Sequence, residues 1–279
     1  MKISRELKCP KSVTECSVQE LAEIFNWYIS LDIPYETLSN IRLGVFIKSP
    51  QEMLSTVVAG GGGHCVEHSV LLRALLYEVG FEAKLINADY RNHVTNQVIR
   101  ISKPLVVVTI GEHMYVCDPY YRHLFLKLPD RGEVKQGNFL VARDSDGEFR
   151  ISRIKGEKTI DEDCANFDWS LEVRRSQFET RYQKFSPFGV TTPFYQILRP
   201  VRKAIFYSPV EDCLICAEGD SYRYIPESDL AEVEWLPVRY RPEILSHLEL
   251  ARSQRDAASE FILGGQFPPY YENLQLKAS

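Results

Sequence analysis

Apolar residues recur at helical spacing from Ser17 to about Gly80 and at alternating spacing from about Ala83 to Arg153, which predicts helices first and strands next. Ser17 followed by Glu20 reads as a capping box, opening a helix that carries Leu21, Ile24, Phe25 and Tyr28 on one face. Ile33-Pro34-Tyr35-Glu36 breaks it, and Ser49-Pro50-Gln51-Glu52 opens another. After Gly60 to Gly63, the residues Val66, Val70, Leu72, Leu75, Leu76 and Val79 line the best-defined helix, stopped by Gly80. Residues 1–83 are therefore expected to form a helical bundle.

The next segment, 84–195, reads as an antiparallel β-sheet or barrel. Lys84 to Tyr90, Val94 to Ile101, Leu105 to Ile110 and Met114 to Asp118 are β-prone runs, with Gly111-Glu112 as a hairpin signal. Phe139 to Arg143 and Glu148 to Ile154 flank a second turn, Asp144-Ser145-Asp146-Gly147. From 196 to 279, strands at Ala204 to Ser208 and Leu214 to Glu218 precede a helix over Pro242 to Arg255. The expected class is α+β, one compact unit in three parts.

Composition narrows the function more than the fold. The formal charge is −5 from 33 basic and 38 acidic side chains, with no long basic block, so no nucleic-acid partner is expected. No apolar run approaches the roughly 20 residues of a membrane span and no signal peptide is visible, so a cytoplasmic protein without a membrane partner is expected. Seven scattered cysteines do not read as a disulfide framework, which suits a reducing compartment. Cys213-Leu214-Ile215-Cys216 lacks a second ligand pair, so it reads as a packed strand and no metal site is expected.

Cys65 carries the candidate chemistry. It follows four consecutive glycines by one residue and begins the best helix. Glycines clear space for a substrate carbonyl and leave backbone N–H groups to meet it, while the positive end of a helix favours thiolate over thiol. A flexible loop before a buried cysteine is the plainer alternative. A nucleophile of this kind wants a base and an orienter. His64 and His68 flank Cys65 at unfavourable offsets for lateral contact, while His113, His123 and His247 read as solvated or surface groups. His93 opens a predicted strand and Asp118 closes another, so Cys65, His93 and Asp118 form a candidate triad, with His93 as an ordinary loop histidine the alternative.

Ile33-Pro34-Tyr35-Glu36-Thr37-Leu38, Gly62-Gly63-His64-Cys65-Val66-Glu67 and Leu75-Leu76-Tyr77-Glu78-Val79-Gly80-Phe81 resemble successive signatures of the arylamine N-acetyltransferases. Met114 to Asp118 resembles the family strand ending in the triad aspartate, and Phe185-Ser186-Pro187 with Thr192-Pro193-Phe194 is similar to a later family segment. The resemblance implies a helical bundle, a β-barrel and an α/β lid around a Cys-His-Asp triad. It also implies transfer of an acetyl group from acetyl-CoA to an arylamine or hydrazine, with Tyr120, Thr192 and Phe194 as substrate-binding positions. Three departures stand out. Gly61 replaces the family's arginine, Pro119-Tyr120-Tyr121-Arg122 replaces a glycine-containing segment after the aspartate, and no histidine falls near Ser102 to Pro104, where the family places its own.

The leading expectation is thus an acyltransferase working through a thioester on Cys65. Its substrates would be a small-molecule amine and an acyl-CoA or other acyl thioester, including a carrier-bound acyl chain, and no cofactor would be tightly bound. The side chains of Tyr120 and Arg122, standing where the family has glycines, argue against acetyl-CoA as donor. The alternatives are a catalytically silent fold member with a binding or regulatory role, and a transglutaminase-like cysteine hydrolase.

Overall fold

A computed structural model describes residues 2–10, 15–38, 40, 47–93, 97–119, 124–170, 194–197, 203–208, 212–219 and 221–253. The chain divides into two compact units that interleave in sequence. One comprises Met1–Leu31, Ser49–Val58 and Cys65–Phe178, and the other Asp32–Lys48, Ala59–His64 and Glu179–Ser279.

The described residues of the first unit include four helices, α1 (Ile3–Glu6), α2 (Val18–Ser30), α3 (Pro50–Val58) and α4 (Cys65–Glu78). The capping box of α2 forms: the Ser17 hydroxyl accepts from Glu20 N, and the Glu20 carboxylate reaches back to Ser17 N. Leu21, Ile24, Phe25 and Tyr28 are all buried, so the face read from the spacing is the packed one. Helix α4 buries Val66, Leu71, Leu72, Leu75 and Leu76, while Glu78 at its end accepts from Ile3 N and Ser4 N and ties down α1.

Eight strands of this unit form one antiparallel sheet: β2 (Glu82–Asn92), β3 (Gln97–Ile110), β4 (His113–Asp118), β5 (Leu124–Lys127), β6 (Gly132–Gln136), β7 (Phe139–Arg143), β8 (Glu148–Lys155) and β9 (Lys158–Ser170). Their order is β5-β4-β3-β2-β9-β8-β7-β6. The two edges are stitched by one side chain. Lys127 N donates to Gln136 Oε1 at 3.0 Å and Gln136 Nε2 donates to the Lys127 carbonyl at 2.5 Å, so the amide of Gln136 stands in for a peptide group and nearly closes a barrel. Its core is apolar, with Ile86, Leu105, Val116, Val141, Phe149 and Ile151 buried together.

Two expected strands prove to be one. Val94 to Ile101 and Leu105 to Ile110 are expected as separate runs, but β3 continues through Pro104, which is level with Asn87 of β2, with a register shift nearby between Ala88 and Tyr90. Proline lacks an N–H to donate, and its carbonyl is taken by Ser69 Oγ of α4 at 3.0 Å. Strand β9 carries Asp161, Glu162 and Asp163, all buried, which its polar sequence conceals.

The second unit holds a five-stranded sheet in the order β1-β10-β11-β12-β13, built from β1 (Tyr35–Glu36), β10 (Tyr195–Ile197), β11 (Lys203–Ser208), β12 (Cys213–Glu218) and β13 (Ser221–Ile225). Among its described residues are also a 3₁₀ turn (Glu227–Glu232) and helix α5 (Tyr240–Ser253). Leu38, Ile205, Leu214, Leu230 and Ile244 meet in its core. Cys213 and Cys216 lie on β12 as free thiols, and among the described residues no group of metal-binding side chains forms. Nor is any described helix long and apolar enough to cross a membrane.

Candidate active site

Cys65 is the first residue of α4 and is partly exposed. One turn further, Ser69 donates to the carbonyl of Pro104, so the start of α4 lies over the middle of β3. Tyr28 of α2 donates to the His68 carbonyl at 3.1 Å and holds the same turn from the other side. Strand β4 brings Asp118 to this stretch: the pair Val106 and Cys117 leaves Asp118 one residue on, level with Leu105. Asp118 is buried, with 2% of its surface exposed.

His93 is elsewhere. It sits in the turn after β2 rather than opening a strand, and its N–H donates to the Ile160 carbonyl at 2.9 Å. Its Nε2 lies 3.3 Å from Glu162 Oε1, a carboxylate also approached by Arg91 at 3.4 Å. Leu105, level with Asp118, pairs with Ile86. His93 is seven residues further along β2, roughly 20 Å at the rise of a strand. The expected contact of His93 with Asp118 is therefore not made; β2 carries the imidazole away along the sheet and Glu162 takes the place of its carboxylate partner. The segment Ser102 to Pro104, where the resemblance places a histidine, is the one beside α4 and Asp118.

The other histidines divide differently from the expectation. His64 and His68 are buried. His113 is the first residue of β4, 3.9 Å from Asp130, and His247 on α5 is half-buried; His123 lies outside the described residues. Of the expected substrate-binding positions, Tyr120 and Thr192 also lie outside them. Phe194 is fully buried in the core of the second unit, its N–H donating to the Ile205 carbonyl. Its ring belongs to the buried apolar cluster that includes Leu38, Ile205 and Leu214.

The glycine segment before Cys65 is held at many points. Gly63 N donates to the Pro34 carbonyl and Glu36 N donates to the Gly63 carbonyl, both at 3.2 Å. Arg239 donates to the carbonyls of Ala59 and Gly60. Lys48, 1% exposed, donates to Asn40 Oδ1 at 2.9 Å and to the Gly62 carbonyl at 3.1 Å, and lies 3.8 Å from Glu36 Oε1. Nothing in the sequence around Lys48 marks it as buried.

Burial pushes up the thiols of Cys117 and Cys216, and that of Cys164 to about 12. These three are poor nucleophiles near neutral pH.

An N-acetyltransferase family model matches residues 17–198, and the chain belongs to that family. No curated protein sequence matches. Solved structures share the fold at low identity. The arylamine N-acetyltransferase of Nocardia farcinica is 16% identical with a TM-score of 0.60, covering 88% of this chain and 93% of its own. That of M. tuberculosis is 14% identical at 0.60, covering 88% and 98%. A Bacillus cereus arylamine N-acetyltransferase, described as having a unique Cys-His-Glu catalytic triad, is 12% identical at 0.56, covering 83% and 94%.

Proposed function

We propose that this chain is an N-acyltransferase that carries its acyl group as a thioester on Cys65. The observation that carries the reading is the placement of Cys65 at the start of α4, directly after a glycine segment fixed by backbone and side-chain bonds. In the first half-reaction the Cys65 sulfur attacks a thioester carbonyl; a carbon–sulfur bond forms, the donor's carbon–sulfur bond breaks, and the donor leaves as a thiol after taking a proton. In the second, an amine attacks the Cys65 thioester; a carbon–nitrogen bond forms, the bond from that carbon to the Cys65 sulfur breaks, and the amine's proton passes to the departing sulfur, restoring the thiol. Backbone N–H groups at the helix start are suited to the oxyanion of each tetrahedral intermediate.

Asp118 is proposed as the buried carboxylate of this site. His93 is not assigned the part of base, because its partner is Glu162. That same pairing, with no histidine in Ser102 to Pro104, favours a second reading in which the fold is kept for binding and the chemistry is lost. The donor is proposed to be a thioester other than acetyl-CoA, on the sequence change at 119–122 alone.

Intact-mass measurement after incubation with acetyl-CoA and a series of longer acyl-CoA thioesters separates these readings. An adduct of the acyl mass on the native chain, absent from Cys65→Ser, is the expected result for at least one longer donor. No adduct with any donor favours the silent reading, and rapid acetylation from acetyl-CoA would restore the ordinary family reaction.

A further inference from the structure

We propose that Lys48 is a positioning residue for Cys65, acting through the glycine segment that leads into it. A lysine in a protein interior loses its hydration and needs polar partners in return. Those of Lys48 include Asn40 Oδ1, the Gly62 carbonyl and, at slightly longer range, the Glu36 carboxylate. Asn40 and Glu36 are themselves buried, at 1% and 0% exposure. Glu36 closes the circuit, since Gly62 N donates to its Oε1 at 3.4 Å. One peptide unit on each side of Gly62 is thereby gripped, the carbonyl by the cation and the N–H by the anion.

The sequence gives this arrangement its meaning. Position 61, where the family pattern carries arginine, is glycine here, so the chain's own segment brings no cation. Lys48 supplies one from outside the segment. Three residues after Gly62 comes Cys65, and the peptide orientations from Gly62 onward set the direction in which α4 begins. A sulfur displaced by about 1 Å from its line of attack costs up to a hundredfold in rate. The inference rests on the reading of Cys65 as the nucleophile.

The test uses the full chain and two readouts. The first is the pH profile of iodoacetamide modification at Cys65, followed by peptide mass. The second is hydrogen exchange of peptides covering 59–64. Lys48→Met removes the donor at similar length, and Lys48→Arg keeps a cation. The expected result in Lys48→Met is faster exchange in 59–64 and slower modification of Cys65 near neutral pH, because a displaced helix start stabilises the thiolate less, with Lys48→Arg recovering most of both. Should Lys48→Met fail to fold, Asn40→Ala removes one contact, keeps the charge pair and carries the same expectation at smaller size. A folded Lys48→Met with native exchange in 59–64, or with native Cys65 modification, overturns the proposal. Failure of the underlying reading looks different: Cys65 in the native chain would then react no faster than Cys9, whatever Lys48 does.

Discussion

At Gly62 the room for a side chain is already taken. A Cβ built there would lie 1.8 Å from the Pro34 carbonyl oxygen and 3.0 Å from Pro34 Cγ. Backbone cannot swing aside as a long side chain can, so Gly62→Ala should pull Gly63 off Pro34 and Lys48 off the Gly62 carbonyl together. A loss of about 3 kcal/mol or more is expected in urea unfolding. Gly137→Ala is the control: open space surrounds it, and its positive φ of 61° is the only strain, worth about 1–2 kcal/mol. Equal midpoints for the two variants would show that the crowding at Gly62 is relieved by an unforeseen shift. The same scale shows why Lys48 escaped the sequence. Its neighbours mark no apolar face or turn, and two of its hydrogen-bond partners lie 8 and 14 residues away in the chain.

Among the elements, α2 shows how much local chemistry decides. Its capping box satisfies two backbone donors that the helix itself leaves open. Ser17→Ala should lose about 1 kcal/mol of stability, read as a lower midpoint in thermal or urea unfolding with the circular dichroism spectrum kept. An unchanged midpoint would mean that packing of Leu21, Phe25 and Tyr28 alone holds the start of the helix. Helices α2 and α4 were legible because their signals are short-range: a cap, a repeat, a stop. The strands were legible where they alternate and illegible where tertiary bonds repaired a local fault. Two runs meet across Pro104, which gives no N–H to the ladder, and the strand continues through it while Ser69 of α4 donates to its carbonyl. Strand β9 carries no alternating apolar signal, and its carboxylates are held instead by tertiary partners: Arg153 meets Asp161 at 2.5 Å and Ser152, Arg91 and His93 gather on Glu162. His93 illustrates the limit for the site. Its separation from Asp118 depends on the register of β2 against β3, which no local pattern announces.

For the molecule as a whole, acid tolerance has an identifiable contributor in His247. Burial holds its pKa below the ordinary 6.5, against the opposing pull of Glu243 and a backbone bond at Leu38. The unfolded chain then takes up the proton first as pH falls. Stability should therefore begin to drop below about pH 6.5, and the loss from this group is complete once pH has passed below the folded value. Urea midpoints at about pH 7.5 and pH 5.5 test this, since His247→Gln should flatten part of the slope. A slope identical in native and variant chains would assign the acid sensitivity to other groups.

The amide of Gln136 bears on how this chain behaves in company. An open sheet of eight strands ends in two rows of unpaired peptide groups, and such rows recruit strands from other molecules. Here Gln136 turns one row toward the other and joins them at Lys127, with a single carboxamide standing where a ninth strand would have to be. The barrel guards itself against fibril-like stacking with one residue, and the seam it closes is held by two bonds at that point while every other join in the sheet is a ladder.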